Sequence, residues 1–166
     1  MIVVFRILAL ILLVVLVPFL LWVLFVNATS REDSRWFGGR PSTLGIRDGK
    51  LSGPKQTPNS VVSEGVETTS PAYVAPIAFT GDPKAALAKL GAVLQALDRV
   101  TVIKVEDNYL YAEFRSAKLR FIDDFEARVD AGASVIHVRS ASRLGRRDMG
   151  VNRARVEMIR RKFATG

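Results

Sequence analysis

The sequence predicts an α+β domain of two layers behind an N-terminal transmembrane helix, and three observations carry that reading. Residues 7–26 form an unbroken apolar run of 20, about 30 Å as a helix, which matches a bilayer core. Between residues 100 and 141, four segments of strand-forming residues are separated by turn signals, the pattern of antiparallel strands. Two segments with apolar residues at helical spacing flank them, Leu87-Leu90-Leu94-Leu97 and Met149-Asn152-Val156-Ile159-Phe163. With a short strand ahead of the first helix, the order is β-α-β-β-β-β-α. It predicts an antiparallel sheet with both helices on one face.

In chain order, residues 1–26 read as a single-pass signal anchor, because a cleavable signal has a shorter apolar region of about 7–15 residues. Pro18 is expected to kink it, and Trp22 and Phe25 suit the membrane interface. Residues 27–72 read as a linker, rich in Gly, Ser, Thr and Pro, whose second half packs on the domain. Residues 73–166 make the α+β domain. Its first strand, residues 73–79, is kept to an edge by Pro76. Asp82-Pro83 supplies an N-cap and a first-turn proline for the helix carrying Leu87. Asp107-Asn108 is a two-residue hairpin turn, and Ala131-Gly132 centres the next. The last helix starts at Met149 with Asp148 as its N-cap.

Composition excludes several functions. There is no cysteine, so disulfides and thiolate metal sites are ruled out, and with His137 alone no histidine-built metal site or cofactor is expected. The net charge is +8, and residues 139–166 hold nine basic and two acidic residues, so the excess belongs to the C-terminal helix and the turn before it. Such a helix suits an anionic lipid surface or an acidic protein partner, or simply water. Nucleic acid is not an expected partner, since Glu106, Glu113, Asp124 and Glu126 surround Tyr109 and Tyr111 and would repel phosphate.

Strand alternation sorts the candidate site residues by face. If Asp130 opposes Ala133, then Asp123, Phe125 and Ala127 share the helix-facing side with Ser140, Val138 and Ile136. Asp124 then lies opposite Arg139 on an outer, solvated face, as part of a lattice of cross-strand charges. Asp123 and Asn152 fall on apolar stripes and so need buried partners. Asp123, Asp124, Arg139, Arg143, Asn152, Arg153 and Arg155 form the candidate binding set, with no catalytic residue or metal ligand assigned.

The run Phe121-Ile122-Asp123-Asp124-Phe125-Glu126, followed by Arg139-Ser140-Ala141-Ser142-Arg143 and Asp148-Met149-Gly150-Val151-Asn152-Arg153, resembles domain-of-unknown-function family 1499, as do Asp48-Gly49-Lys50-Leu51 and Thr57-Pro58-Asn59-Ser60 upstream. Pro54 and Ser60 stand where many members carry cysteines. The resemblance implies an envelope or thylakoid-associated domain, and so an inner-membrane protein whose C-terminal domain faces the periplasm. Arg31, Arg35 and Arg40 against Arg6 lean the other way. The expected function is a non-enzymatic module binding anionic lipid or a protein. The alternative is a hydrolase or transferase using the acidic residues, with Arg139 and Arg143 holding an anion.

Overall fold

A computed structural model describes residues 12–30 and 38–166 of the chain. The chain divides into two units, Met1–Gly39 and Arg40–Gly166. In the first, a π-helical turn, Leu12–Leu16, leads into helix α1, Val17–Ser30. Pro18, which has no backbone N–H to donate to the preceding turn, stands at the junction. Side chains from Val14 to Phe25 are mostly exposed. Among the described residues no helix is long and apolar enough to cross a membrane: the 14 residues of α1 make about 21 Å, against roughly 30 Å of bilayer core. The expected transmembrane helix is therefore corrected to a shorter apolar helix over these residues. The start of the apolar run, residues 7–11, lies outside the described residues, as do Trp36 and Phe37.

The second unit is α+β with an antiparallel sheet. Its elements are β1 (Ser60–Val62), β2 (Ile77–Ala78), α2 (Pro83–Gln95), β3 (Val100–Val105), β4 (Tyr109–Arg115), β5 (Ile122–Asp130), β6 (Val135–Ser142) and α3 (Val151–Thr165). The strand order is β1-β6-β5-β4-β3, with β2 also paired to β6. The expected first strand shrinks to Ile77 and Ala78, just past Pro76. An unexpected one, Ser60-Val61-Val62, pairs with Ala141, Ser140 and Arg139. Asp82 caps α2 by accepting from the Ala85 N–H at 2.7 Å, with Pro83 in the first turn.

One face of the sheet carries the core. Leu87, Leu90 and Leu94 of α2 and Val156, Ile159 and Phe163 of α3 pack on Leu110, Ala112, Phe114, Phe125, Ala127, Ile136 and Val138. Full burial of each large side chain contributes about 1.5–3 kcal/mol. The β5–β6 register differs from expectation by two residues: Asp130 opposes Val135 and Asp123 opposes Ser142. A four-residue turn replaces a two-residue one, with the Ala133 N–H held by Asp130 and Ser134 at φ 52°. A shift of two preserves the face of every side chain. In the first hairpin a bulge at Ile103 changes parity. Val100 and Val102 turn to the core, while Ile103 joins the opposite side.

That opposite side is not solvated. Residues 40–64 cross it as a strap, and Leu44, Ile46 and Leu51 pack with Tyr109, Tyr111 and Ile103 into a second apolar cluster. Asp124, expected on an open surface, is 1% exposed beneath this cover. Helix α3 begins two residues late. Gly150 is its N-cap at φ 81°, Met149 at φ 53° projects outward at 97% exposure, and Asp148 still accepts from the Asn152 N–H at 2.9 Å.

Candidate functional site

Period-two alternation sends Tyr109, Tyr111 and Glu113 of β4, Asp124 and Glu126 of β5, and Arg139 of β6 to the strap side. Register then makes neighbours of Glu113 and Asp124, of Tyr111 and Glu126, and of Glu126 and Arg139. The three carboxylates are 0–1% exposed. Charges so placed must be paired and hydrogen-bonded; each meets an arginine, and Glu113 Oε2 alone is left without a hydrogen bond, with Arg115 at 3.7 Å. Arg143, just past β6, reaches back across the sheet. Its Nε donates to Asp124 Oδ1 and Oδ2 at 3.0 and 3.1 Å, and its Nη2 to Tyr111 Oη and Glu113 Oε1 at 2.8 and 2.5 Å. Arg40 of the strap adds a 2.7 Å bond to Glu113.

Arg139 donates to Glu126 Oε2 at 2.9 Å and to the Gly53 carbonyl at 3.3 Å. Glu126 Oε1 accepts from the Tyr109 hydroxyl at 2.9 Å and from the Gly45 N–H at 2.7 Å. Glu64, also of the strap, accepts from the Leu51 N–H and from Arg128 on the sheet. The carboxylates thus fasten the strap backbone as well as neutralising arginines.

Titration behaviour follows from this packing. Burial works to raise Glu113, but the bonds from Arg40 and Arg143 outweigh it and hold its carboxyl below the ordinary glutamate range. Glu64 is lowered likewise, with burial opposed by Arg128 and the Leu51 N–H. Burial and the neighbouring carboxylates push the Tyr109 and Tyr111 phenols well up, so they stay protonated donors. Burial pulls on Arg143 too, yet Asp124 and Glu113 raise it.

A second polar knot ties α3 to the sheet. Asn152, fully buried, donates through Nδ2 to Asp148, Ser142 Oγ and the Asn59 carbonyl at 2.8, 2.9 and 3.1 Å. Its Oδ1 accepts from Ser140 Oγ at 2.6 Å and from Arg155 Nη1 at 2.5 Å. Arg155 also pairs with Asp123 at 2.5 Å and lies over the Phe114 ring, 4.5 Å from its centroid. Asp123 therefore takes its hydrogen bond from Arg155. Ser140, Ser142, Asn152 and Arg143 bond elsewhere.

The structure splits the sequence-derived set in two. Asp124, Arg139 and Arg143 meet under the strap; Asp123, Asn152 and Arg155 meet on the helix side. Arg153 belongs to neither, donating to the Pro71 and Tyr73 carbonyls at 2.8 and 2.7 Å. Arg160 is half-buried against Glu157 and the Ala75 carbonyl. Sequence reasoning missed Glu113, Glu126 as a buried group, Arg40, and Asn59, whose Nδ2 donates to the Gly145 carbonyl at 2.6 Å. A signal existed: Tyr109-x-Tyr111-x-Glu113 beside Asp124-x-Glu126 puts two aromatics among three acids on one face, an arrangement better suited to burial than to water.

Among the described residues no group of His, Cys, Asp and Glu could hold a metal ion. A cleft of about 370 Å³ near the start of α3 is lined by Lys55, Thr57, Ser60, Asp148, Gly150 and Arg153. Its cations are already used, Lys55 on the Ser142 carbonyl at 2.8 Å and Arg153 as above. Compared with known proteins, residues 50–163 match the family described as a protein of unknown function (DUF1499). No curated protein matches the chain.

Proposed function

The chain belongs to the DUF1499 family of proteins of unknown function, and on that premise we propose that it is a membrane-held module that binds without catalysing. One observation carries the absence of chemistry: every carboxylate of the two polar networks is bound by an arginine or by backbone N–H groups, and the one oxygen left without a hydrogen bond, Glu113 Oε2, is buried with Arg115 3.7 Å away. A general base needs a lone pair facing a substrate, whereas Asp124 and Glu126 face Arg143 and Arg139 in the buried interior. Asp123, at 15% side-chain exposure beside a cavity of about 340 Å³, is the nearest thing to an available acid, and Arg155 occupies it. The hydrolase or transferase reading has no other foothold.

Membrane attachment is supported by the apolar run of residues 7–26 in the sequence and by the exposed side chains of Val14 to Phe25, which need a cover other than water. The family resemblance favours a periplasmic domain. Fractionation of cells expressing the full chain tests the attachment: it is expected in the membrane pellet after high-salt and alkaline washes, and recovery in the supernatant refutes it. A C-terminal reporter that works only in the cytoplasm tests the side, and activity from it would place the domain inside.

A further inference from the structure

Some cations at the end of the domain where residue 40 enters it belong to neither polar network. Three connections meet there: the turn from α2 to β3, residues 116–121 between β4 and β5, and residues 143–150 between β6 and α3. A cleft of about 330 Å³ is lined by Arg99, Thr101, Arg115, Ser116 and Arg120, with three guanidinium groups and no carboxylate. Among the described residues Arg99 and Arg120 make no ion pair, and Arg115 meets Glu113 only at 3.7 Å. A second cavity shares Arg99, Arg115 and Ser116 and extends to Val151 at the start of α3, so the three connections border one surface.

That surface is also apolar. Leu119 is 62% exposed, Leu144 41%, Met149 97% and Val151 50%. Lys118, Arg146 and Arg147 stand exposed among them. Three acids lie nearby. Asp98 is exposed on the α2–β3 turn, Asp123 is closed by Arg155, and Asp148 is closed by Asn152 and the Gly150 N–H. Single exposed apolar side chains are ordinary on a soluble protein, but four on adjacent connections ringed by cations mark an interaction surface.

We propose that this end of the domain docks on an anionic bilayer, with the Arg99–Arg115–Arg120 cleft taking a lipid phosphate and Leu119, Leu144 and Met149 entering the interfacial layer. Charge complementarity names the occupant: arginine forks match phosphate oxygens, and cations beside apolar side chains are what an interfacial surface needs. Chain geometry agrees. Arg40 is bonded to Glu113, two residues from Arg115, so the tether joins the domain at this end. The inference rests on the membrane-held reading and adds the orientation of the domain.

The cysteine-free chain allows a direct test. Single cysteines at Leu119, Leu144, Met149 and, at the opposite end, Ala131 carry an environment-sensitive dye in the full chain reconstituted into vesicles. In vesicles with anionic lipid, the first three dyes should brighten several-fold and be quenched by a lipid-borne quencher, while the Ala131 dye is not. Vesicles of phosphatidylcholine alone, or the double change R99Q/R120Q, should cut that response several-fold with the chain still vesicle-bound. Equal dye responses at both ends of a vesicle-bound chain overturn the docking and leave the attachment standing. Dyes at 119, 144 and 149 that are shielded from aqueous quencher yet out of reach of the lipid quencher overturn it in favour of contact between copies of the chain. A chain that stays in the aqueous fraction defeats the docking and the attachment together.

Discussion

Arg143→Met is the sharpest test of the buried network. The substitution keeps much of the side-chain volume and removes the fork that serves Asp124, Tyr111 and Glu113. Losing one partner of a buried pair costs about 3–5 kcal/mol, since a charge is stranded in low dielectric. Two carboxylates lose a partner here, but Arg40 still reaches Glu113 and Tyr111 still donates to Asp124 at 2.7 Å. The lower end, about 3 kcal/mol, is therefore expected. For a domain of this size that lowers Tm by roughly 12 °C, measurable by near-ultraviolet circular dichroism from Tyr109 and Tyr111. The triple change Arg143→Met, Asp124→Asn, Glu113→Gln removes the stranded charges and should recover most of the loss. A shift under about 3 °C for the single variant, or a triple variant no better than the single, refutes the reasoning.

Asp124→Ala should destabilise more than Asp123→Ala, about 3 against about 1–2 kcal/mol, because Arg155 keeps Ser140 and Asn152 when Asp123 goes; chemical denaturation of the two variants decides the order. Asn152→Ala opens the knot between α3, the sheet and Asn59, and a loss of about 3 kcal/mol is expected by the same measurement. Glu126→Gln should speed hydrogen exchange at the Gly45 amide, which that carboxylate now holds, while core amides of β5 keep their protection. Acid should loosen the same strap. Glu113 and Glu64 have folded pKa values depressed below their unfolded ones, so the stability they give is present above the ordinary glutamate range and lost as pH falls through the depressed values. Unfolding followed from pH 7 downward checks this, and flat stability below about pH 4 would count against it.

The alternation of β5 and β6 was legible because parity survives an even error. Placing Asp130 opposite Ala133 rather than Val135 misjudged the turn by two residues, yet Phe125, Ala127 and Val138 still fell in the core. One residue of bulge at Ile103 has the opposite effect: alternation counted back from the Asp107-Asn108 turn would put Ile103 beside Ala112, whereas Val102 stands there. The cover over Asp124 was illegible for another reason. The strap has no periodicity, and its burial comes from Leu44, Ile46 and Leu51 meeting Tyr109 and Tyr111, contacts that local spacing does not encode. Met149 read as the first residue of an apolar stripe, but Gly150 lets the chain turn left-handed there, and the helix starts beyond it.

The strap's fastenings have a consequence for the order in which the chain can fold. Arg40 meets Glu113 across 73 residues, Gly45 meets Glu126 across 81, Lys55 meets Ser142 across 87, and Asn59 meets Asn152 across 93. Contacts this far apart in sequence form late, because each must first close a long loop. During synthesis Arg40 and Gly45 must wait for β4 and β5, and Lys55 and Asn59 for the end of β6 and the start of α3. Residues 143–152 therefore complete the fold of residues far ahead of them: without them Asp124 and Glu113 lose Arg143, and Asn59 loses both the Gly145 carbonyl and Asn152.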